Sequence, residues 1–166
     1  MSKQETNPEI KALIRIFLIA IAAAGVVFAA AAIAKETVFA EPQLEVFNHK
    51  THEVYFSIPA SDGTLVTLEW VHSIELEPIT VTYKVEDGKL FLIERTVKSY
   101  GAGVESDLGG VTTVEDGVIY TRGLHIEYPY LNYTHSHDVH HKLTIGDHVI
   151  NTNDIEHHAI VTIAVR

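Results

Sequence analysis

The sequence predicts a small all-β domain behind one N-terminal transmembrane helix. An uncharged apolar segment lies close to the N-terminus. Behind Pro42, short stretches of alternating β-branched and aromatic residues show no sustained helical periodicity. These stretches are separated by Asp-Gly dipeptides at 62–63, 87–88 and 116–117, which are typical of tight hairpin turns. We therefore expect a small antiparallel β-sandwich or a partly open barrel, preceded by the helix.

The apolar segment from Ile16 to Ala34 would rise about 28 Å as a helix, which matches a hydrocarbon core of about 30 Å. Basic residues precede it and acidic residues follow it, so the positive-inside rule places the N-terminus in the cytoplasm. The alternative is a signal peptide cleaved after Ala40, and it also exports the domain. The predicted parts are a cytoplasmic N-terminus (1–11), an anchor helix (12–35), a linker (36–43) and an extracytoplasmic β domain (44–166).

This division makes the chain a single-pass protein of the cytoplasmic membrane, with its C-terminal domain outside or in the periplasm. Gly25, Ala29 and Ala32 lie at helical spacing and would let a second transmembrane helix approach closely. An alanine-rich anchor, however, has small residues on every face. The net charge of −10 argues against a nucleic-acid partner, and the absence of cysteine excludes disulfides and thiolate metal sites.

The clearest predicted hairpin has arms from Ile79 to Glu86 and from Lys89 to Ser99. Alternation assigns five residues to its core face: Val81, Tyr83, Val85, Leu90 and Leu92. Phe91 and Ile93 are apolar on the opposite face, so the second arm is either covered on both sides or contains a bulge. The other predicted strands are 44–48, 54–58, 65–72, 118–122, 141–145 and 159–165.

Two local groups in the β domain are candidate contact residues. His72 and Ser73, with Glu75 and Pro78, follow a predicted strand, where a histidine is commonly a hydrogen-bonded structural residue. His72 cannot activate its neighbour Ser73, because adjacent strand residues point to opposite faces. The second group is the run Tyr100-Gly101-Ala102-Gly103, whose glycines suit either an anion-binding concavity or a plain loop.

A histidine-rich segment is a weaker candidate for metal binding. His135 and His137 form an H-x-H pair that would present both rings on one face of a strand, and His140 and Asp138 could add ligands. The spacing matches no established metal signature, and polar loops are often rich in histidine. We expect no cofactor and no catalytic residue. The histidines at 49, 52, 125, 148, 157 and 158 are scattered and are interpreted as surface residues.

The stretch L-V-T-L-E-W-V-H-S-I-E-L-E-P from Leu65, followed by the hairpin and by S-Y-G-A-G, resembles the bacterial and archaeal family called domain of unknown function 1850. The resemblance includes His141 with Leu143 but not His135, His137 or His140. It implies an association with tripartite ATP-independent (TRAP) transporters of the type that uses a TAXI solute receptor.

On this resemblance and on the topology, the leading hypothesis is a non-enzymatic accessory subunit of a TAXI-type TRAP transporter. Its partners would be the membrane component of the transporter and the extracytoplasmic solute receptor. His72, Glu75 and residues 101–103 would then form a contact surface, with His141 nearby. The main alternative is an extracytoplasmic ligand- or metal-binding module, and a hydrolase using Ser73 is the weakest hypothesis.

Overall fold

The computed structural model describes residues 41–101 and 104–166. The predicted anchor helix, with Gly25, Ala29 and Ala32, lies outside the described residues, as does the cleavage site after Ala40. Ala102 and Gly103 of the predicted contact surface also lie outside them. Within 41–101 and 104–166, no helix has the length and apolar character needed to cross a membrane.

The described residues fold into strands and two 3₁₀ turns, at His137–Val139 and Thr152–Asp154. The strands are β1 (Gln43–Asn48), β2 (Val54–Pro59), β3 (Leu65–Val71), β4 (Pro78–Glu86), β5 (Lys89–Val97), β6 (Val111–Glu115), β7 (Val118–Tyr128), β8 (Leu131–Thr134), β9 (Lys142–Ile145), β10 (His148–Ile150) and β11 (Ile160–Val165). They form a four-stranded sheet in the order β2-β1-β11-β8 and a seven-stranded sheet in the order β10-β9-β3-β4-β5-β7-β6. Every described pairing is antiparallel, so the all-β prediction is confirmed.

Both sheets contribute to one hydrophobic cluster. Leu44 and Ile163 come from the four-stranded sheet, and Val66, Leu90 and Leu143 come from the seven-stranded sheet. All five side chains are fully buried. The two sheets therefore share a core, as the layers of a sandwich do.

The predicted hairpin is present as β4 and β5. Glu86 lies opposite Lys89, and Val85 lies opposite Leu90. The two turn residues between the strands, Asp87 and Gly88, have φ angles of 50° and 70°, which is the conformation that a two-residue hairpin turn requires. All five residues predicted for the core face of the hairpin are buried.

A β-bulge in β5 settles the ambiguity left by its apolar residues. Leu92 pairs with Tyr83 and Glu94 pairs with Thr82, so Ile93 has no partner in the β4 ladder. Arg95 lies three positions after the inward-facing Leu92, so in a regular strand it would face outward. The bulge shifts the inward and outward positions by one residue. Arg95 therefore faces inward and is only 7% exposed.

Three of the strands were not predicted: β6, β8 and β10. Every residue of β6 is exposed, so its sequence shows no buried face to indicate a strand. β10 has three residues, fewer than the four that alternation needs, and β8 has four with only one buried side chain, Leu131. In addition, β7 continues to Tyr128, beyond its predicted end, through a bulge at Gly123 (φ 70°).

Candidate functional site

The residues from His72 to Glu77, between β3 and β4, form a tight loop that we call the His72 loop. The backbone N–H groups of Ile74 and Glu75 donate to the Nδ1 atom of His72, at 3.4 and 3.2 Å. The His72 backbone N–H donates to the carbonyl of Glu77 at 2.8 Å, and its carbonyl accepts from Leu76 N–H at 2.9 Å. His72 thus stabilises the loop through its ring and its backbone.

The His72 loop presents apolar side chains to solvent. Ile74 is 66% exposed and Leu76 is 74% exposed. The backbone of Leu76 is held in the left-handed region (φ 54°), which is unfavourable for a leucine. Ser73 is also exposed in this loop, and Pro78 is the exposed first residue of β4.

The second predicted contact segment lies against the His72 loop. A Cβ atom at Gly101 would overlap the side chain of Glu75, so the two segments touch at a position where a larger residue does not fit the present arrangement. An ion pair of 2.9 Å between Lys98 and Glu77 also joins them. Tyr100, next to Gly101, is 40% exposed. The structure therefore brings together the predicted residues His72, Glu75 and Gly101.

A narrow crevice runs between these segments and is lined in part by His72, Glu75 and Pro78. Its volume is about 10 Å³, which is room for no more than one water molecule. This crevice therefore has no room for a solute.

His141 approaches this region through Trp70, two residues before His72. Its ring lies 6.4 Å from the Trp70 ring and 4.9 Å from the Tyr133 ring, measured between centroids. Its Nδ1 atom is 3.3 Å from both the backbone N and the carbonyl O of Ser136. Burial lowers the pKa of His141, and the hydrogen bond with the Ser136 backbone opposes that shift.

His135 directly follows β8 and is 1% exposed. Neither of its ring nitrogens has a hydrogen-bond partner among the described residues. Burial, followed by the nearby rings of His141, His137 and His157, lowers its pKa to about 4. The His135 imidazole is therefore neutral at physiological pH.

The predicted metal ligands lie close in sequence but differ in environment. The ring of His137 is 5.1 Å from that of His135, and its Nε2 atom contacts the carbonyl of Ile155 at 3.0 Å. His140 is exposed and ends a 3₁₀ turn with φ 53°. In the part of the chain that the structure describes, no group of three or more histidine, aspartate or glutamate side chains is arranged to hold a metal ion. The six histidines interpreted as surface residues are all exposed.

A larger cavity, which the sequence analysis did not predict, lies beside the His72 loop. Its volume is about 260 Å³, and it is lined by Trp70, His72, Ile79, Val81, Arg95, Val104 and Glu105. The Nε and Nη2 atoms of Arg95 are buried without a hydrogen-bond partner among the described residues. Sequence alternation cannot reveal this site, because the bulge at Ile93 is what turns Arg95 inward.

The described residues His72, Glu75, Gly101 and His141, which belong to the resemblance, therefore lie in neighbouring segments. No curated protein and no solved structure matches the chain. The family model of the domain of unknown function 1850 matches residues 66–151, just over half of the 166 residues. This match includes the His72 loop, Gly101 and His141. The chain belongs to the domain of unknown function 1850 family.

Proposed function

We propose that this protein is a non-enzymatic accessory subunit of a TAXI-type TRAP transporter. Residues 12–35 would anchor it in the cytoplasmic membrane, and the β domain would lie on the outer side. There it would dock onto the membrane component of the transporter, with the solute receptor as a second partner. Gly25, Ala29 and Ala32 are the proposed contacts within the membrane.

The observation that carries the proposal is the apolar tip of the His72 loop. Ile74 and Leu76 expose most of their surface, and Tyr100 lies on the neighbouring segment. Burying large apolar side chains against a partner contributes about 25 cal/mol per Å², and aromatic residues are enriched where binding energy concentrates. We call the His72 loop, together with Tyr100 and Gly101, the contact surface.

Hydrogen bonds and one ion pair close the contact surface in the chain without a partner. The His72 ring and backbone close the loop, and the Lys98–Glu77 ion pair holds the neighbouring segment beside it. A loop already fixed in one conformation loses little entropy on binding. This favours a docking role for the motif, because its exposed apolar side chains are already held in position for burial against a partner.

The test is co-purification of the full-length protein from mild-detergent extracts of its own host, followed by mass spectrometry. The test variant is the double substitution Ile74→Ser with Leu76→Ser. The matched control replaces Val111 and Val114 of β6 by serine, since they are 68% and 70% exposed and lie outside the contact surface.

We expect a multi-span transporter protein to co-purify with the wild-type chain and with the β6 control, and to be lost with the loop variant. Recovery of the wild-type chain without any transporter component would refute the proposal. Equal recovery with both double variants would retain the transporter association but would refute the role of the contact surface.

A ligand- or metal-binding module is the second candidate, and it is favoured by the ring nitrogens of His135, which have no hydrogen-bond partner in the described part of the chain. The rings of His137 and His141 lie 5.1 and 5.3 Å away, so a metal would require these side chains to turn toward one another. Calorimetry of the full-length protein with zinc, nickel or copper tests this. Stoichiometric binding that His135→Phe abolishes would support metal binding, and heats equal to dilution would dismiss metal binding.

A further inference from the structure

We infer that the cavity at Arg95 binds a small monocarboxylate with an apolar body. This inference does not depend on the transporter proposal. Arg95 lines the cavity, and its side chain is only 7% exposed. Two of its guanidinium nitrogens, Nε and Nη2, have no hydrogen-bond partner among the described residues. A buried guanidinium normally has a carboxylate or phosphate partner, because desolvating an unpaired charge is costly.

A second buried polar group, which does not itself line the cavity, lies next to Arg95. Thr121 lies directly opposite Arg95 in the β5–β7 ladder, so the two side chains project from the same face of the sheet. Thr121 is 2% exposed, and its hydroxyl lacks a hydrogen-bond partner in the described residues. Within 41–101 and 104–166 no acceptor pairs with the Arg95 Nε and Nη2 atoms, so an anionic ligand would supply one.

The lining of the cavity limits the ligand. Trp70, Ile79, Val81 and Val104 are apolar, which suits a hydrocarbon or aromatic body. The volume of about 260 Å³ is slightly below the range of typical ligand pockets, roughly 300 to 1,000 Å³, so the ligand is small.

Charge favours a monoanion over a phosphate. Glu105 also lines the cavity, and no ion pair joins it to Arg95 within the described residues. One guanidinium beside one carboxylate leaves little positive potential for a doubly charged group. Among the described residues no acceptor holds Nε or Nη2, and both atoms are buried, so pairing with a carboxylate requires the guanidinium to turn toward the cavity and present two N–H groups.

The probe pair is phenylacetate and its neutral analogue phenylacetamide, with butyrate as a smaller carboxylate. Each is titrated at pH 7.5 into the full-length protein in mild detergent. The fluorescence of Trp70, the only tryptophan in the chain, reports binding because its ring lines the cavity. Calorimetry gives the stoichiometry independently.

We expect saturable one-to-one binding of phenylacetate and at least tenfold weaker binding of phenylacetamide. Arg95→Met should weaken phenylacetate binding at least tenfold, and Arg95→Lys should weaken it less, since it keeps the charge but not the paired donors. Glu105→Gln should strengthen binding by removing a like charge. Lys89→Met, which removes an exposed cation at the start of β5, is the matched control and should leave binding unchanged.

The inference would be overturned if neither carboxylate showed saturable binding at concentrations up to about 10 mM. A dissociation constant above that concentration is too weak for specific binding. Equal binding of the carboxylate and the amide, or full binding by a folded Arg95→Met protein, would also overturn the inference. Thermal unfolding of each variant identifies any that fails to fold, and Arg95→Lys and Glu105→Gln then provide the comparison, since their affinities should shift in opposite directions.

Discussion

Lowering the pH from 7.5 to 5 should destabilise the β domain through His135. The imidazole is 1% exposed and lacks a hydrogen-bond partner among the described residues. Burial and the neighbouring rings of His141, His137 and His157 lower its pKa from the ordinary 6.5 to about 4. The unfolded chain therefore takes up a proton at this position before the folded chain does, and stability falls as the pH decreases from 6.5 toward 4.

The size of the effect follows from the two pKa values. With 6.5 for the unfolded chain and about 4 for the folded chain, linkage gives a loss of at most about 2 kcal/mol at pH 5 relative to pH 7.5. Solvent at the exposed rings of His137 and His157 screens part of this effect, so we expect a loss of about 1 kcal/mol. The pKa of His141 is also lowered, which adds a smaller loss in the same direction.

Urea unfolding of the full-length protein, followed by the fluorescence of Trp70 in buffer with EDTA, measures the effect at pH 7.5 and at pH 5. His135→Phe keeps a flat ring but removes both unpaired nitrogens. At pH 7.5 the substitution should be neutral or slightly stabilising, because an apolar ring replaces buried nitrogens that have no partner among residues 41–101 and 104–166. His148→Phe, at an exposed position on β10, is the matched control.

The His135→Phe protein should lose about 1 kcal/mol less between the two pH values than the wild type and the His148→Phe control do. An equal loss in all three proteins would show that His135 does not set the acid sensitivity. Strong destabilisation of His135→Phe at pH 7.5 would show that its nitrogens are in fact hydrogen-bonded.

Three substitutions test the packing. Gly110→Ala should destabilise the domain by about 1–3 kcal/mol in urea unfolding, because its Cβ would lie 2.6 Å from the carbonyl oxygen of Arg122, which is fixed in β7. Gly101→Ala should cost less, since its Cβ meets only the flexible, exposed side chain of Glu75; a cost equal to that of Gly110→Ala would contradict this reasoning. Ile163→Ala should cost about 2–5 kcal/mol, because the side chain is fully buried between the sheets, and a smaller loss would indicate that the core collapses to fill the cavity.

The sequence was sufficient to predict the strands whose alternation has one buried face. The β4–β5 hairpin is the clearest case, since its Asp-Gly turn fixed the register and its alternation identified the core residues. The same method does not identify β6, whose five residues are all exposed, because a strand without a buried face has no apolar period.

The contact surface could be predicted only in part from the sequence. The order of the motif in the sequence indicated that His72, Glu75 and Gly101 are related, and the structure brings these segments together. The exposure of Ile74 and Leu76 was not predicted, because it depends on the left-handed backbone at Leu76 and on the hydrogen bonds that close the loop. Such tertiary detail has no signal in an apolar pattern.

Two arginines on adjacent strands, Arg122 on β7 and Arg95 on β5, differ in how their charges are paired. Arg122 is paired on the outer face, with Glu94 at 2.9 Å and Glu115 at 2.6 Å. Arg95, turned inward by the bulge at Ile93, has no such pair among the described residues and carries its charge into the interior. A leucine or methionine at this position would fill the space without that cost. Because stability alone would favour the apolar residue, the position of Arg95 is better explained by an anionic ligand that pairs with it.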